Sequence, residues 1–166
     1  ELLDTICRHE NIAKYIDMPI QHMDDAVLRR MHRRDTQESI YAAVRKVRAR
    51  DAGFILRTTV ITGFPGETEE EFAVLKQGIS DLEFDRLGAF AYSREEGTPA
   101  YSMPDQVDDE VKEARQEEIM FLQQPIAARR GRERVGKCYD VLIEQFLPEE
   151  GLYLGRSYGE APEVDG

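Results

Sequence analysis

The chain alternates between short apolar runs and longer stretches in which apolar residues recur every three or four positions. The apolar runs predict three strands, at residues 15–20, 54–62 and 86–92, of which the first two are predicted to be buried. Between these runs, helical spacing predicts helices that begin at Asp24, Thr36 and Thr68, residue types that favour a helix N-terminus. Strands and helices that alternate at such short intervals indicate parallel β-α units with right-handed crossovers. The pattern therefore predicts an α/β fold.

The strand predicted at residues 54–62 carries one charge, Arg57, within a run of β-branched and apolar residues. Such a run is typical of a strand that is buried on both faces, as in a parallel sheet. Because an unpaired buried charge is costly, Arg57 must pair with an anion or point at a ligand. A salt bridge within the fold and contact with a ligand carboxylate both remain open.

The second half of the chain changes character. A long helix is predicted over residues 108–134, and Pro125 inside it is predicted to kink or split it. The inward positions of this helix are predicted to be Val111, Ala114, Ile119 and Leu122. Beyond the helix, residues 137–144 and 152–156 predict two antiparallel strands joined by a turn. These strands indicate the start of a small, separate β domain.

Ligands of parallel α/β folds bind at the carboxyl ends of the strands, which lie here at residues 21–22, 63–67 and 93–98. In the second segment, Gly63 and Gly66 flank a Phe-Pro pair, so the backbone can approach a ligand closely. A functional turn and a plain tight β-α turn both remain open.

The turn at residues 63–67 is not a phosphate-binding loop, because the Lys-Ser/Thr pair is missing and Glu67 begins a run of acids. An acidic, glycine-rich lip suits a ligand that carries positive charge or ribose and amine groups. His22, at the end of the first strand, is either a structural or a catalytic histidine.

The charge balance narrows the class of partner. Lys and Arg total 22 against 33 Asp and Glu, which gives a net charge of −11. This balance argues against nucleic-acid binding and favours a basic protein partner. Cys7 and Cys138 are far apart in the sequence and indicate reduced thiols of a cytoplasmic protein. No apolar run approaches the length of a membrane span, and the opening residues predict a piece of a longer protein.

Several stretches resemble the methylthiotransferase family of radical S-adenosylmethionine enzymes. The matching segments are residues 15–22, 56–68, 84–88, 92–100 and 155–166. The last segment, taken with Ile20, Gln21 and His22, resembles the branch that modifies an aspartate of a ribosomal small-subunit protein. The resemblance implies the second half of a (β/α)6 partial TIM barrel (the radical SAM fold) over residues 1–131. Residues 132–166 would then begin a small β-barrel, the TRAM domain.

The family uses S-adenosylmethionine and two 4Fe-4S clusters to add a methylthio group to the β-carbon of the aspartate. The cysteine motifs that hold the clusters are missing here, and Cys7 and Cys138 match no ligand position. The resemblance therefore implies an inactive fragment, with no catalytic or metal-binding residue of its own. It implies that the residues at the S-adenosylmethionine and substrate end are Gln21, Arg57, Gly63, Phe64, Pro65, Gly66 and Glu67.

The implied partner is a basic ribosomal small-subunit protein in the cytoplasm, with no membrane and no direct nucleic-acid contact. Exposed strand edges also favour pairing with another copy of the chain. Two alternatives remain open: a transfer-RNA methylthiotransferase, and a cluster-free module that binds a ribosomal protein without chemistry.

Overall fold

A computed structural model of the chain describes residues 1–161, so residues 162–166 of the predicted tail motif lie outside the described residues. The helices are α1 (Leu2–Arg8), α2 (Asp25–Arg30), α3 (Gln37–Arg50), α4 (Glu69–Leu82) and α5 (Asp109–Arg132). The strands are β1 (Tyr15–Asp17), β2 (Ile55–Thr62), β3 (Arg86–Ala91), β4 (Leu142–Leu147) and β5 (Leu152–Arg156). A 3-10 helix covers Pro99–Ser102.

Strands β1, β2 and β3 form a parallel sheet in that order, with β2 in the centre. The predicted α/β fold with a parallel sheet is therefore confirmed. Strand β1 is shorter than predicted, because the chain leaves the ladder after Asp17. It returns at Gln21, which makes an isolated parallel bridge to Val60 of β2. Strands β4 and β5 form a separate antiparallel hairpin.

The two faces of the sheet differ in burial. Leu56 and Val60 of β2 are fully buried against the helices. Arg57, Thr59 and Ile61 alternate with them and are only half-buried. The prediction of a strand buried on both faces is therefore wrong, because the helices of the described chain cover one face. The open face also carries Phe90, which is paired in register with Ile61.

Side-chain caps fix where the main helices begin. Thr36 and Thr68 each accept a hydrogen bond from the backbone N–H three residues later, Ser39 and Glu71. The side chains of those residues bond back to the cap, which completes two capping boxes. Asp24 caps α2 in the same position. All three predicted helix starts are confirmed.

The core lies between the covered face of the sheet and helices α3 and α4. The buried apolar residues of α4 are Phe72, Leu75, Ile79 and Leu82. Helix α3 contributes Ile40, Val44 and Val47 to the core. Residues spaced three and four apart form one face of a helix, so the sequence pattern alone places these side chains inward.

Helix α5 does not follow its predicted hydrophobic stripe. Its buried residues are Lys112, Arg115, Ile119, Gln123 and Ile126. Val111 and Ala114, predicted to face inward, are exposed. The reason is that the inner polar side chains bond to neighbouring elements; Gln123 Nε2, for example, donates to the Phe84 carbonyl oxygen at 2.8 Å. Of the predicted inward positions, Ile119 is fully buried and Leu122 is half-buried against the core.

Two further predictions in the second half need correction. Helix α5 runs through Pro125 and is not split there, while a kink at Pro125 stays a prediction. The first strand of the hairpin lies at Leu142–Leu147, and not at residues 137–144. The second strand, Leu152–Arg156, is confirmed at its predicted residues. The predicted division between residues 131 and 132 remains a prediction.

The segment after β5 folds back on the amino-terminal end of the parallel sheet. Glu160 lies at its centre and binds Arg134 at 2.7 Å and Arg86 at 3.3 Å. It also accepts hydrogen bonds from the Ser157 N–H and hydroxyl groups. The Tyr158 hydroxyl donates to a backbone carbonyl just before β2. These contacts fasten the hairpin region to the base of the sheet.

We expect the stability of the chain to depend on ionised Glu160. Burial acts to raise the pKa of Glu160, but the hydrogen bonds from Ser157 and Arg134 outweigh it and lower that pKa from 4.5 to about 2. A carboxyl whose folded pKa is depressed adds stability above its unfolded pKa and loses it as the pH falls through the folded pKa. The free energy of unfolding of the wild type should therefore fall, relative to Glu160→Gln, between about pH 5 and pH 2. Denaturant unfolding over a pH series measures this difference, and parallel curves would contradict it.

Candidate ligand-binding site

A cleft of about 320 Å³ lies at the carboxyl ends of the parallel strands. Its walls come from the end of β2, the turn that follows it, the end of α2 and the 3-10 segment. The lining residues are Gln21, Arg30, Met31, His32, Arg33, Ile61, Phe64, Thr98, Pro99, Ala100 and Met103. A cleft of this size, mainly apolar with a few polar groups, is typical of a small-ligand site.

Gln21 reaches the cleft through an unusual backbone conformation. Its φ angle is +66°, which is uncommon for a residue other than glycine. Two hydrogen bonds hold it there: its N–H donates to the Thr59 carbonyl, and its carbonyl accepts from the Ile61 N–H. Positive φ at a constrained non-glycine residue is a feature of functional sites. The predicted site residue Gln21 therefore lies at the cleft, braced by β2.

The predicted turn at residues 63–67 forms the lip of the cleft. Phe64 lines the cleft, and its ring makes a T-shaped contact with the Tyr92 ring, with centroids 5.2 Å apart. Gly63 has a φ of +69°, and a Cβ atom there would lie 2.2 Å from Cγ of Lys112. Gly63 therefore allows α5 to pack directly on the turn. Pro65 is buried behind the lip.

Gly66 is required for its backbone conformation and not because a side chain would lack space. Its φ is +77°, but a Cβ atom would meet only ordinary contacts with Arg30. Its N–H donates to the Asp105 carbonyl, and its own carbonyl accepts from Arg30 Nη2. Gly66 therefore joins the lip to the segment after the 3-10 helix on one side and to α2 on the other.

Glu67 is the charged centre of the turn, and its side chain is fully buried. Its Oε1 atom accepts from the Gly63 N–H at 3.0 Å and from Arg115 Nη1 at 2.7 Å. Arg115 also binds Glu69 and the Glu67 carbonyl oxygen. The second carboxylate oxygen, Oε2, lies 3.2 Å from His22 Nε2. The carboxylate therefore faces the interior, and Glu67 does not form the expected acidic lip.

His22 is a buried structural partner of this carboxylate. Its Nδ1 atom accepts a hydrogen bond from the Asp24 N–H at 3.0 Å. The neutral ring must then carry its proton on Nε2, which is the atom that faces Glu67. His22 thus connects the cap of α2, and the segment that leads to it from β1, to the turn after β2.

Arg30 brings a second ion pair to the wall of the cleft. Its guanidinium makes two hydrogen bonds to Glu71, at 3.0 and 2.6 Å. Burial acts to raise the pKa of Glu71, but the hydrogen bonds from Arg30 and from the Thr68 N–H hold that pKa below its usual range. The pair joins α2 to the first turn of α4, so both helices that border the lip are fixed to each other.

Arg57 is a predicted site residue that lies at the opposite end of β2 from the cleft. It is near the amino end of β2, five residues or about 16 Å from the end of the strand. Its Nη1 atom binds Asp17 of β1 at 2.7 Å on the open face of the sheet. Of the two readings left open by the sequence, the structure shows the salt bridge.

Two sets of residues at the site were not predicted from the sequence. The cleft walls from α2 and the 3-10 segment were missed, because nothing in the sequence indicates that Arg30 and Met103 line the same cleft. Arg115 was missed because it lies on a polar helix face. Its spacing from Lys112 and Ile119 is helical, so the periodicity of the inner face is present in the sequence. Hydropathy, however, favours the apolar residues of α5 as the inward positions.

Among residues 1–161, no group of three or more His, Cys, Asp or Glu side chains is arranged to hold a metal ion. Cys7 is half-buried and Cys138 is exposed, and both line a second cleft next to Tyr158, at the opposite end of the sheet. No described helix is long and apolar enough to cross a membrane.

The comparisons with known proteins agree with this geometry. Residues 1–77 match the Radical SAM superfamily, and residues 135–166 match the TRAM domain. A solved structure of coproporphyrinogen III oxidase (HemN) from Escherichia coli, a radical SAM enzyme, aligns with a TM-score of 0.59 and 28% identity. The alignment covers 74% of this chain and 29% of that chain.

Curated relatives align along the whole chain. It is 47% identical over 166 residues to the ribosomal protein uS12 methylthiotransferase RimO of Clostridium botulinum, and equally to that of Clostridium perfringens. The RimO of Clostridioides difficile is 46% identical over 165 residues. The chain spans 37% of the length of these relatives. The resemblance found in the sequence is therefore confirmed.

We expect Glu67→Gln to destabilise the fold by about 3 kcal/mol, because it leaves the buried Arg115 guanidinium without its main counter-charge. Glu69→Gln is the matched control. Glu69 binds the same guanidinium but its side chain is 76% exposed, so its loss should cost less than about 1 kcal/mol. Denaturant unfolding of both variants measures the difference. Equal losses would mean that Glu67 does not carry the buried pair.

Proposed function

We propose, from the premise that this chain belongs to the radical SAM methylthiotransferases, that it forms the S-adenosylmethionine end of an enzyme that methylthiolates ribosomal protein uS12. The observation that carries the proposal is the cleft at the carboxyl ends of the strands, within a chain whose whole length aligns with RimO. In parallel α/β folds this end of the sheet is where ligands bind.

The residues of the cleft fit S-adenosylmethionine. Ile61, Phe64 and Met103 offer apolar walls for a flat base. The Gln21 side-chain amide makes no hydrogen bond within the described chain, so its donors and acceptor are free for a ligand. The residues do not fit an iron–sulfur cluster, since the described chain contains no ligand set for one. No part in holding a cluster is assigned to this chain.

S-adenosylmethionine, when bound, supplies the radical and methyl chemistry of the family. The residues of this chain bind and orient it. Phe64 lines the cleft, and the backbone at Gly63 and Gly66 gives the lip its shape. Pro65 and Glu67 position the lip from behind and do not touch the ligand. Arg57, which the resemblance included among the site residues, stabilises the sheet through Asp17.

The proposed substrate is an aspartate of uS12, a protein of the ribosomal small subunit. The names of the curated relatives support this choice over transfer RNA. The net charge of −11 supports it as well, because an acidic surface attracts a basic ribosomal protein and repels RNA. The cytoplasm, where ribosomes are assembled, is the proposed compartment.

The function is tested with the full-length natural protein, purified without oxygen. We expect the iron and sulfide content of two 4Fe-4S clusters. We also expect mass spectrometry to find a methylthio group on uS12 after reaction with S-adenosylmethionine and a reductant. A methylthio group found on transfer RNA and not on uS12 would reject uS12 as the substrate in favour of transfer RNA. An intact protein without iron would favour the cluster-free binding module.

The cleft itself is tested by Phe64→Ala in the full-length protein. Loss of the aromatic wall should weaken S-adenosylmethionine binding about tenfold, which is roughly 1.4 kcal/mol. Gln21→Ala should weaken S-adenosylmethionine binding by a similar factor, because alanine cannot make the hydrogen bonds of the lost side-chain amide. Isothermal titration calorimetry measures both affinities.

The matched control for these variants is Arg57→Gln, which removes a charge from the same sheet at its opposite end. Its S-adenosylmethionine affinity should stay within about twofold of the wild type. If Arg57→Gln weakened S-adenosylmethionine binding as much as Phe64→Ala, the ligand would not bind in the cleft.

A further inference from the structure

The outer face of helix α5 carries exposed apolar residues, although several polar residues are buried beside Ile119 on its inner face. Phe121 is 68% exposed and Met120 is 39% exposed, whereas Lys112, Arg115 and Gln123 are buried on the inner side. A solvated helix normally shows the reverse arrangement. The inner polar residues are explained by their hydrogen bonds, but nothing within the described chain covers the outer apolar ones.

Glutamates frame these apolar residues. Glu110, Glu113 and Glu117 follow one another at helical spacing on the same exposed side of α5. None of the three makes an ion pair within the described part of the chain. Glu118, one residue further, is paired with Lys76 of α4 at 2.5 Å. The outer face therefore presents unneutralised carboxylates beside an aromatic ring.

The surface has relief as well as charge. Phe121 stands between two grooves. One runs along α5 and is lined by Glu113, Gln116, Glu117, Met120, Phe121 and Gln124. The other lies between α4 and α5 and includes Lys76 and Leu122. An extended segment laid along the first groove would place its side chains within reach of the glutamates and the ring.

We propose that the outer face of α5 is a docking surface for a lysine- and arginine-rich segment of the ribosomal protein substrate. This inference rests on the proposed function, because it takes uS12 as the partner. The cationic ends of such side chains pair with Glu113 and Glu117. Their aliphatic stems, or an Arg guanidinium, lie against Met120 and Phe121.

Charge complementarity selects this occupant. A second copy of the chain in a symmetric dimer would bring the same glutamates face to face, which is repulsive. RNA would set phosphates against Glu110, Glu113 and Glu117. A basic protein segment satisfies both the carboxylates and the exposed ring.

The test is the affinity of the full-length protein for purified uS12, measured by fluorescence anisotropy over a series of salt concentrations. We expect Glu113→Lys/Glu117→Lys to weaken binding about tenfold at low salt and to flatten the salt dependence, since both attractive charges become repulsive. The matched control is Glu10→Lys/Glu38→Lys, which makes the same charge change at two exposed glutamates on other elements. Its affinity should stay within about twofold.

A second pair of variants separates the apolar contribution from the charged one. Phe121→Ala should weaken binding about fivefold and keep the salt dependence of the wild type, because no charge is removed. Glu113→Gln/Glu117→Gln should lie between the wild type and the charge reversal. Thermal unfolding of each variant shows that the exposed substitutions leave the fold intact.

Unchanged affinity in the Glu113/Glu117 and Phe121 variants would overturn the docking surface, and so would a wild type that does not bind uS12. An equal loss in the Glu10/Glu38 control would show only a response to net charge and would also overturn it. The proposed function fails separately. A wild type that binds uS12 through α5 but does not methylthiolate it would keep the docking surface and reject the activity.

Discussion

The buried carboxylate of Glu67 is the constraint on which the candidate site depends. It joins three parts of the chain that are far apart in sequence: the segment between β1 and α2 through His22, the turn after β2 through the Gly63 N–H, and α5 through Arg115. Breaking a buried pair costs more than the pair itself contributes, because the remaining charge stays buried. The shape of the cleft lip is therefore set from behind, by residues that do not touch the cleft.

The parts of the fold that could be predicted are those that depend on residues close together in the sequence. Thr36 and Thr68 mark helix starts because a capping side chain acts on backbone only three residues away. The stripe from Phe72 to Leu82 is legible because a helix face is defined by spacing alone. The parallel sheet follows from the alternation of such elements. At the site, the same logic placed Gln21 and Phe64 at the carboxyl end of the strands, and both line the cleft.

The predictions that failed depend on partners distant in sequence. Hydropathy placed Val111 of α5 inward, but the inner face belongs to Arg115, whose partner Glu67 lies 48 positions away. Glu67 itself looked like part of an acidic lip, because a sequence does not show that a carboxylate meets a buried guanidinium. Burial of β2 on both faces was wrong for a similar reason: β-branched residues are needed on the covered face and tolerated on the open one.

Helix α5 has two faces with different chemistry, and its geometry keeps them apart. Arg115 and Glu117 are two positions apart, or roughly 200° around the helix, so one points into the buried ion pair and the other into solvent. A charge change at Glu117 therefore leaves the Arg115–Glu67 contact in place, and a change at Arg115 disturbs the lip without altering the outer surface. The inner polar residues are tolerated because they bond to neighbouring elements, and the proposed docking of a basic segment would give Phe121 a contact on the outer face.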